Sequence, residues 1–428
     1  MTTTLPSPAV LGARAFATLA GINRFSDEPG KLTRLYLSPS HRQAAEYVKG
    51  AMEVAGLTAF IDAAGSVQGR REGASPGLPA VLIGSHIDTV RDGGRFDGNL
   101  GVVAGILAAQ AIRDAGITLP FALEVIAFGD EETVRFPTSL STSSALIGHY
   151  DHAWLESRDA DGVSLRDALV AFGGDPAGIA ALARKPGSVK AYLEVHIEQG
   201  PGLEVENEAV GIVTAINAQS RAAVRVSGEA GHAGTVPMKL RKDALTAAAE
   251  MALALEEIAG AHDQAVGTVG VFRPDPGATN VVPGAVDFTI DYRAPQGETV
   301  ASMERQIQQR FGEIAQRRGV GLSITPYSRD DATPMAAELQ EALAAGIART
   351  GSNLSARRLS SGAGHNARAM ARLCPSAMLF VRCEKGISNS PLENMTELDA
   401  GIAIRVLIET ILELARRECE CGNLYINR

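Results

Sequence analysis

The sequence is poor in cysteine, in basic residues and in long apolar runs, and each shortage excludes a class of protein. Four cysteines in 428 residues are too few for a disulfide framework, so we expect reduced thiols and a cytoplasmic protein. The net charge of -9 disfavours nonspecific binding to nucleic acid. The longest apolar stretch, Gly101 to Ile112, is too short to cross a bilayer. Residues 1–10 lack the basic segment and apolar core of a signal peptide, so we expect no membrane association.

The length and the order of apolar segments predict two domains of mixed α/β structure. Residues 219–327 show the strand and helix order β-α-β-β-α-β, which is typical of a ferredoxin-like α+β unit. The segments on either side alternate between helical periodicity and short apolar strands, as in α/β domains. We therefore expect a catalytic domain at 1–214 and 330–428, interrupted by an inserted domain at 215–329.

Three apolar strands of the first domain each precede residues that can bind metals. The run Val81–Ser85 leads into His86, Asp88 and, after a glycine-rich turn, Asp97. Residues 121–128 lead into the pair Glu131–Glu132, and residues 191–195 lead into His196. We also expect a strand at 60–66 and a helix capped by Ser40.

Ligands bind at the carboxyl ends of parallel strands, so these three segments predict a shared site. Imidazole and carboxylate are common ligands of zinc and manganese. Asp88 is placed to hold the second ring nitrogen of His86, and one acid of the Glu131–Glu132 pair can bind a metal while the other accepts a proton. Each segment taken alone has an ordinary alternative, a polar strand end or a solvated acidic turn. The convergence of all three favours a catalytic metal cluster.

Substrate binding is predicted from the inserted domain. Arg293 follows a predicted strand, and arginine is the side chain best shaped to grip a carboxylate with two parallel hydrogen bonds. Arg293 could equally form a surface ion pair. His232 lies in the stretch GHAGTVPM, where a turn histidine bonded to the backbone is the alternative interpretation.

Several motifs, spread from about residue 10 to 415, together resemble the hydantoinase/carbamoylase branch of the aminoacylase-type metallohydrolases. This branch includes N-carbamoyl-L-amino acid hydrolases, allantoate amidohydrolases and β-ureidopropionases. The motifs are GSHIDTV, GGRFDGNLGV, Glu131–Glu132 followed by Arg135–Phe136, HIEQGP, GHAGTVPM followed by Arg241 and Asp243, and GAGHNA.

The resemblance implies a zinc-exopeptidase-like α/β/α catalytic domain, with an inserted ferredoxin-like domain that acts in dimerisation and as a lid. It implies that His86, Asp97 and His196 hold a first ion, and that Asp97 bridges to a second ion held by Glu132. Glu131 would be the general base and Asp88 the partner of His86.

The same resemblance implies roles in substrate binding. Arg293 and Asn280 would contact a carboxylate, and His232 the reacting carbonyl. Gln199 and His365 resemble further pocket positions. The implied reaction is hydrolysis of a linear C–N bond in a small carboxylate-bearing substrate, and a homodimer is the implied assembly.

The sequence departs from the family pattern at three positions. Asn389 stands where the family has its last metal ligand, a histidine, and its amide oxygen is a weaker donor. Thr133 stands where relatives usually have glycine, so we expect the loop of the acid pair to be shifted or the pocket narrowed. Asn366 replaces a usual aspartate.

We expect a metal-dependent amidohydrolase that holds one or two Zn²⁺ or Mn²⁺ ions, with the second site weakened by Asn389. The favoured substrate is an N-carbamoyl-L-amino acid or an allantoate-like ureido acid. The alternatives are an amidase for another N-acyl amino acid or amide, and a pseudoenzyme that binds metal and a small carboxylate.

Overall fold

A computed structural model describes residues 4–351 and 353–426, with side chains described as far as residue 420. The chain forms two compact units. The first comprises the chain as far as Thr214, together with Met335–Leu359 and the segment from Gly364 onward. The second comprises Ala215–Pro334 and Ser360–Ala363. Within the described residues, no helix has an apolar segment long enough to span a lipid bilayer.

The strands alternate with helices through most of the chain. The strands are β1 (Thr58–Ile61), β2 (Val67–Arg71), β3 (Ala80–His86), β4 (Ala122–Phe128), β5 (Val189–Ile197), β6 (Val210–Ile216), β7 (Ala218–Ser227), β8 (Gly231–His232), β9 (Val266–Asp275), β10 (Val281–Val282), β11 (Ala285–Ala294), β12 (Gly321–Asp330), β13 (Thr333–Pro334), β14 (Arg358–Ser361) and β15 (Ser376–Val381).

The helices differ widely in length. The α-helices are α1 (Pro8–Asn23), α2 (Pro39–Val54), α3 (Asn99–Asp114), α4 (Ser141–Leu146), α5 (Leu165–Phe172), α6 (Gly202–Val205), α7 (Ala244–Gly260), α8 (Gly297–Arg318), α9 (Ala337–Thr350), α10 (Asn366–Met370) and α11 (Glu397–Ile426). Short 3₁₀ helices lie at His152–Glu156, Ile179–Leu182, Met238–Leu240 and Glu384–Gly386.

The first unit is built on a mixed sheet with parallel central strands. Its strand order is β1-β2-β4-β3-β5-β15-β6, with β14 paired to β6. Strand β3 is parallel to β4 and β5, and β5 is parallel to β15. Every residue of β3, β4 and β15 is buried, because helices cover both faces of such a sheet. The parallel strands therefore present their carboxyl ends at one edge, as the sequence predicts.

The second unit has the element order β7-α7-β9-β11-α8-β12 and an antiparallel sheet with strand order β12-β7-β11-β9. Burial alternates along β7 and β11, since one face of the sheet packs under α7 and α8. This is the ferredoxin-like arrangement that the periodicity predicts.

Two local predictions are wrong. Residues 62–66 form a turn instead of continuing a strand, because the Asp62 carboxylate accepts the N–H groups of Ala64 and Ser66 and Gly65 has φ +90°. Ser38, rather than Ser40, caps α2, and its hydroxyl accepts the N–H of His41. Pro39 at the first helical position fixes this earlier start.

Candidate metal centre and active site

His86 and His196 lie side by side at the carboxyl edge of the parallel sheet. His86 is the last residue of β3, and His196 is the next-to-last residue of β5. Their ring centroids are 5.8 Å apart, and both side chains are buried. The parallel pairing of β3 and β5 ends at Ile83↔Leu193, and each histidine lies three residues beyond its member of that pair.

Both imidazoles present the same nitrogen to the site. Nδ1 of His86 lies 3.0 Å from the main-chain carbonyl of Asp88, and Nδ1 of His196 lies 2.9 Å from that of Ile197. A carbonyl can only accept a hydrogen bond, so Nδ1 carries the proton in each ring. Nε2 is then the nitrogen with a lone pair to offer to a metal.

Asp97 completes a cluster with the two histidines. Its Oδ1 lies 3.1 Å from Nε2 of His196 and 3.5 Å from Nε2 of His86. One ligand atom from each of these three buried residues lies within 4.8 Å of the other two. Gly98, with φ +65°, allows this approach, because a Cβ there would lie 2.4 Å from the His86 ring.

The acid pair sits on a tight loop beside this cluster. Oε2 of Glu131 lies 3.9 Å from Nε2 of His86. The main-chain N–H of Glu132 donates to Oδ2 of Asp88 at 3.1 Å. Asp130 and Thr133, on either side of the pair, have φ of +60° and +54°. Thr133 thus takes a left-handed conformation that glycine would adopt more easily.

The charges of the cluster are strongly coupled. Burial would raise the pKa of Asp97, but hydrogen bonding to His196 and His86 holds that pKa well below its usual range. Burial would lower the pKa of His86, but the carboxylates of Asp88, Asp97 and Glu131 raise it well above its ordinary value. Without a cation, protons on the imidazoles balance the acids. A divalent ion can replace those protons, so metal binding would release them.

The two glutamates of the loop hold their protons more tightly than exposed glutamates do. Burial raises the pKa of Glu131 to about 7, although the charge of His86 opposes the shift. Burial and the charge of Asp97 raise the pKa of Glu132 well above its ordinary value. Oδ1 of Asp88 and Oε1 of Glu132 are buried and form no hydrogen bond with the described residues. Such orphaned acceptors fit a site built for a cation.

The other predicted positions of the first unit lie at varied depths. His365 is buried, with its ring centroid 4.4 Å from that of His196. Gln199 donates from Nε2 to Oδ2 of Asp97 at 2.8 Å. Asn389 is exposed and has φ +54°, while its neighbour Ser388 contacts Asp97. Burial, followed by the charge of His196, lowers the pKa of His365 well below its usual value.

The candidate substrate residues of the second unit are held by its own backbone and side chains. His232 is exposed and pairs with Val281 across β8 and β10. Asn280 is also exposed, and its carbonyl accepts the N–H of Ala233 at 2.9 Å. Arg293 donates from Nε and Nη2 to Asp291 at 2.8 and 2.7 Å and from Nη1 to the carbonyl of Gly362 at 2.6 Å. Two of its five N–H groups remain for another acceptor.

Sequence reasoning missed three buried residues that support this edge. The Arg34 side chain donates to the carbonyl of Ile87 at 2.5 Å and to Oδ1 of Asn99 at 2.7 Å, which ties the turn after β3 to the start of α3. The Asp130 carboxylate accepts hydrogen bonds from Thr138 and Ser141 and so anchors the acid loop. Glu393 accepts the N–H of Asp97. The only signal in the sequence is that Asp130 and Glu393 adjoin stretches already singled out.

The parallel sheet places two imidazoles and a cluster of carboxylates at one buried edge, which is a ligand set suited to a divalent metal ion. Residues 82–413 match the family described as Peptidase family M20/M25/M40. The chain therefore belongs to this family.

Curated relatives and solved structures indicate which branch of this family the chain resembles most. The chain is 37% identical over 417 residues to an N-carbamoyl-L-amino acid amidohydrolase of Geobacillus stearothermophilus, covering 96% of this chain and 100% of that protein. It is 36% identical over 430 residues to an allantoate deiminase of Arabidopsis thaliana, covering 94% and 82%. A hydantoinase/carbamoylase family amidase from Burkholderia ambifaria superposes with a TM-score of 0.87 at 36% identity, covering 94% and 96%. The resemblance to the hydantoinase/carbamoylase branch is thus confirmed.

Proposed function

We propose that the protein hydrolyses a linear C–N bond of a small ureido acid, with an N-carbamoyl-L-amino acid or an allantoate-like compound as the favoured substrate. The observation that supports this most is the buried cluster of His86, Asp97 and His196, with the carboxyl group of Glu131 next to it. The relatives named above act on substrates of this class, and the cluster supplies the ligands that such hydrolysis needs.

We assign His86, Asp97 and His196 to a first divalent cation, with Asp88 orienting His86. When bound, the cation would lower the pKa of a coordinated water and polarise the scissile carbonyl. Glu131 would take a proton from the attacking water and deliver it to the leaving nitrogen. Burial raises its pKa above the ordinary value, which makes Glu131 a stronger base than an exposed glutamate.

We assign substrate recognition to Arg293 and Asn280 for the carboxylate, to His232 for the reacting carbonyl, and to Gln199 and His365 for the pocket. These roles rest on the resemblance. Arg293 retains two N–H groups beyond its contacts with Asp291 and Gly362, which is enough for one carboxylate.

The second ion is the weaker part of the site in this proposal. Glu132 lies outside the close group of three ligands, and Asn389 offers only a neutral oxygen. We therefore expect one tightly held Zn²⁺ or Mn²⁺ per chain and a second that is weak or absent. Metal analysis of protein purified without chelator measures this, and two tightly held zinc ions per chain would contradict it. The variant Asn389→His should increase the retention of a second ion.

The substrate proposal is tested with a panel of N-carbamoyl amino acids, allantoate and N-acyl amino acids, assayed with Zn²⁺, Mn²⁺, Co²⁺ and Ni²⁺. Turnover of ureido acids with release of ammonia supports the proposal. Turnover of N-acyl amino acids alone would favour the amidase alternative. Ligand binding without any turnover would favour the pseudoenzyme, for which the departures at Thr133, Asn366 and Asn389 provide a reason.

We further propose a cytoplasmic homodimer in which the second unit is the dimerisation domain and lid. Strand β9 is an edge strand that leaves Val266, Val271 and Phe272 exposed, a surface suited to a second copy. The described cysteines Cys374, Cys383 and Cys419 are free, which suits a reducing compartment. Light scattering on the eluted protein measures the assembly, and a monomer would contradict the proposal.

A further inference from the structure

Glu393 is a buried carboxylate that takes no direct part in the chemistry proposed above. It is 1% exposed and forms no ion pair with the described residues. Its Oε1 accepts the main-chain N–H groups of Phe96 at 2.7 Å and of Asp97 at 3.1 Å. These hydrogen bonds compensate its burial and tie it to the main chain of the candidate ligand Asp97.

The second oxygen of Glu393 reaches the side chain of Asp97 through one intermediary. Oγ of Ser388 lies 3.2 Å from Oε2 of Glu393 and 2.9 Å from Oδ2 of Asp97. Nε2 of Gln199 donates to both Ser388 Oγ, at 3.1 Å, and Asp97 Oδ2, at 2.8 Å. Oδ2 of Asp97 is therefore held on the side away from the two imidazoles, which leaves Oδ1 facing them.

The local backbone is shaped to admit this carboxylate. A Cβ at Gly94 would lie 2.0 Å from Cδ of Glu393, so a side chain there would collide with it. The glycine-rich turn before Asp97 thus accommodates Glu393 in addition to reversing the chain. Glu393 also lies in the segment that carries Ser388 and Asn389, and so joins that segment to the turn.

We propose that Glu393 is a positioning residue for Asp97: it holds the main chain of Asp97 directly and orients the carboxylate through Ser388, so that Oδ1 is aimed at a cation shared with His86 and His196. The proposal rests on the cation site proposed above. Partners in the outer shell of a metal site change metal affinity by about 10–100-fold when removed. A purely structural carboxylate would change stability without changing affinity.

The experiment measures Co²⁺ affinity by competition with a chelator, and the visible absorption of the Co²⁺-loaded full-length protein. Glu393→Ala should weaken Co²⁺ binding by about 10–100-fold and alter the visible spectrum. Glu393→Gln should restore affinity to within about threefold of wild type, since its amide oxygen can accept both N–H groups. Ser388→Ala should weaken binding less than Glu393→Ala, because the main-chain contacts remain.

Asp62→Ala is the matched control. The Asp62 carboxylate is also buried and also accepts two main-chain N–H groups, at 2.9 and 3.0 Å, together with Nε2 of Gln68 at 2.7 Å. This variant should lower the melting temperature without changing Co²⁺ affinity. An equal loss of affinity in Asp62→Ala and Glu393→Ala would overturn the proposal.

Unchanged affinity and spectrum in Glu393→Ala would also overturn it. If Glu393→Ala does not fold, the proposal is tested with Ser388→Ala instead. Unchanged Co²⁺ affinity and an unchanged visible spectrum in Ser388→Ala would then overturn the proposal. A wild-type protein that binds no Co²⁺ would instead refute the cation site itself, so the two failures are told apart by the wild-type measurement.

Discussion

The two compact units bury different kinds of side chain. All the buried Asp, Glu, His and Arg residues of the described chain belong to the first unit, whereas the buried polar residues of the second are Asn217, Ser220 and Ser361. The second unit keeps its own candidate site residues, His232 and Asn280, exposed.

The difference shows what each unit is built to do. Buried charge is unfavourable unless hydrogen bonds or counter-charges compensate it. The first unit leaves Glu132 Oε1 without a hydrogen bond from the described residues, while Asp88 Oδ1 lies 3.5 Å from Nδ1 of His86. Its fold therefore fits a cation. The second unit has an apolar core that needs no ion, so the candidate metal ligands lie in one unit and the candidate recognition groups proposed above lie in the other.

The largest expected effect is on kcat, and it distinguishes proton transfer from metal binding in the first unit. Glu131→Gln should lower kcat by about 10³-fold, because the amide cannot accept the proton of the attacking water. Metal content should stay near that of wild type, since the close ligand group is His86, Asp97 and His196. Steady-state kinetics and metal analysis on one preparation measure both quantities.

Glu409→Gln is the control for Glu131→Gln. Glu409 is also buried in the first unit, but it pairs with Arg405 on α11 at 2.8 Å. It should keep wild-type kcat. Turnover by Glu131→Gln within tenfold of wild type would remove Glu131 from the role of base.

The second-largest expected effect is on the pH dependence of stability, and it arises from a buried histidine of the first unit. His41 is fully buried, and burial lowers its pKa to about 4 from an ordinary 6.5. The unfolded chain binds a proton more readily than the folded chain between these values. Stability is therefore complete above pH 6.5 and is lost as the pH falls towards 4, by about 3 kcal/mol for this residue.

Scanning calorimetry between pH 4.5 and 7.5 measures this dependence against the variant His41→Asn. The Asn oxygen can still accept the N–H of Leu37, which Nδ1 accepts at 3.1 Å in the wild type. The variant should be less stable at pH 7 but should lose less stability on acidification. An equal loss in both proteins would place the acid sensitivity elsewhere.

Local sequence patterns predict the site better than they predict what supports it. The strands expected at 121–128 and 191–195 correspond to β4 and β5, because a strand buried on both faces is a continuous apolar run. The residues that follow such runs necessarily lie at the sheet edge. This is why His86, Glu131 and His196 could be selected from the sequence alone.

The supporting contacts are not local, so periodicity does not reveal them. Glu393 bonds to Phe96 across 297 positions of the chain, and Arg34 bonds to Asn99 across 65. The strand expected at 60–66 fails for a different reason, since the hydrogen bonds of the Asp62 carboxylate outweigh the strand preference of its neighbours. The dimeric state and the role of each substrate residue stay predictions.

The third effect tests the substrate-binding role proposed for Arg293 in the second unit. Arg293→Ala should raise KM for carboxylate substrates by about 10–100-fold with little change in kcat, because a charge-assisted pair contributes about 1.5–3 kcal/mol. Arg225→Ala is the control, since Arg225 pairs with Asp287 on the same sheet at 2.8 Å. If the two variants have the same effect on KM, Arg293 forms a surface ion pair as in the alternative interpretation and does not bind the substrate carboxylate.

The smallest effect tests the strain beside the acid pair. Thr133 has φ +54°, which is unfavourable for a β-branched side chain, so Thr133→Gly relieves strain but also gives the unfolded chain more freedom. The net gain should be below about 1 kcal/mol, or about 2 °C in melting temperature. Gln264→Gly, at φ +54° in the second unit, should gain less because glutamine is unbranched at Cβ. A lower melting temperature for Thr133→Gly would mean that the threonine side chain stabilises the acid loop by more than its backbone strain costs.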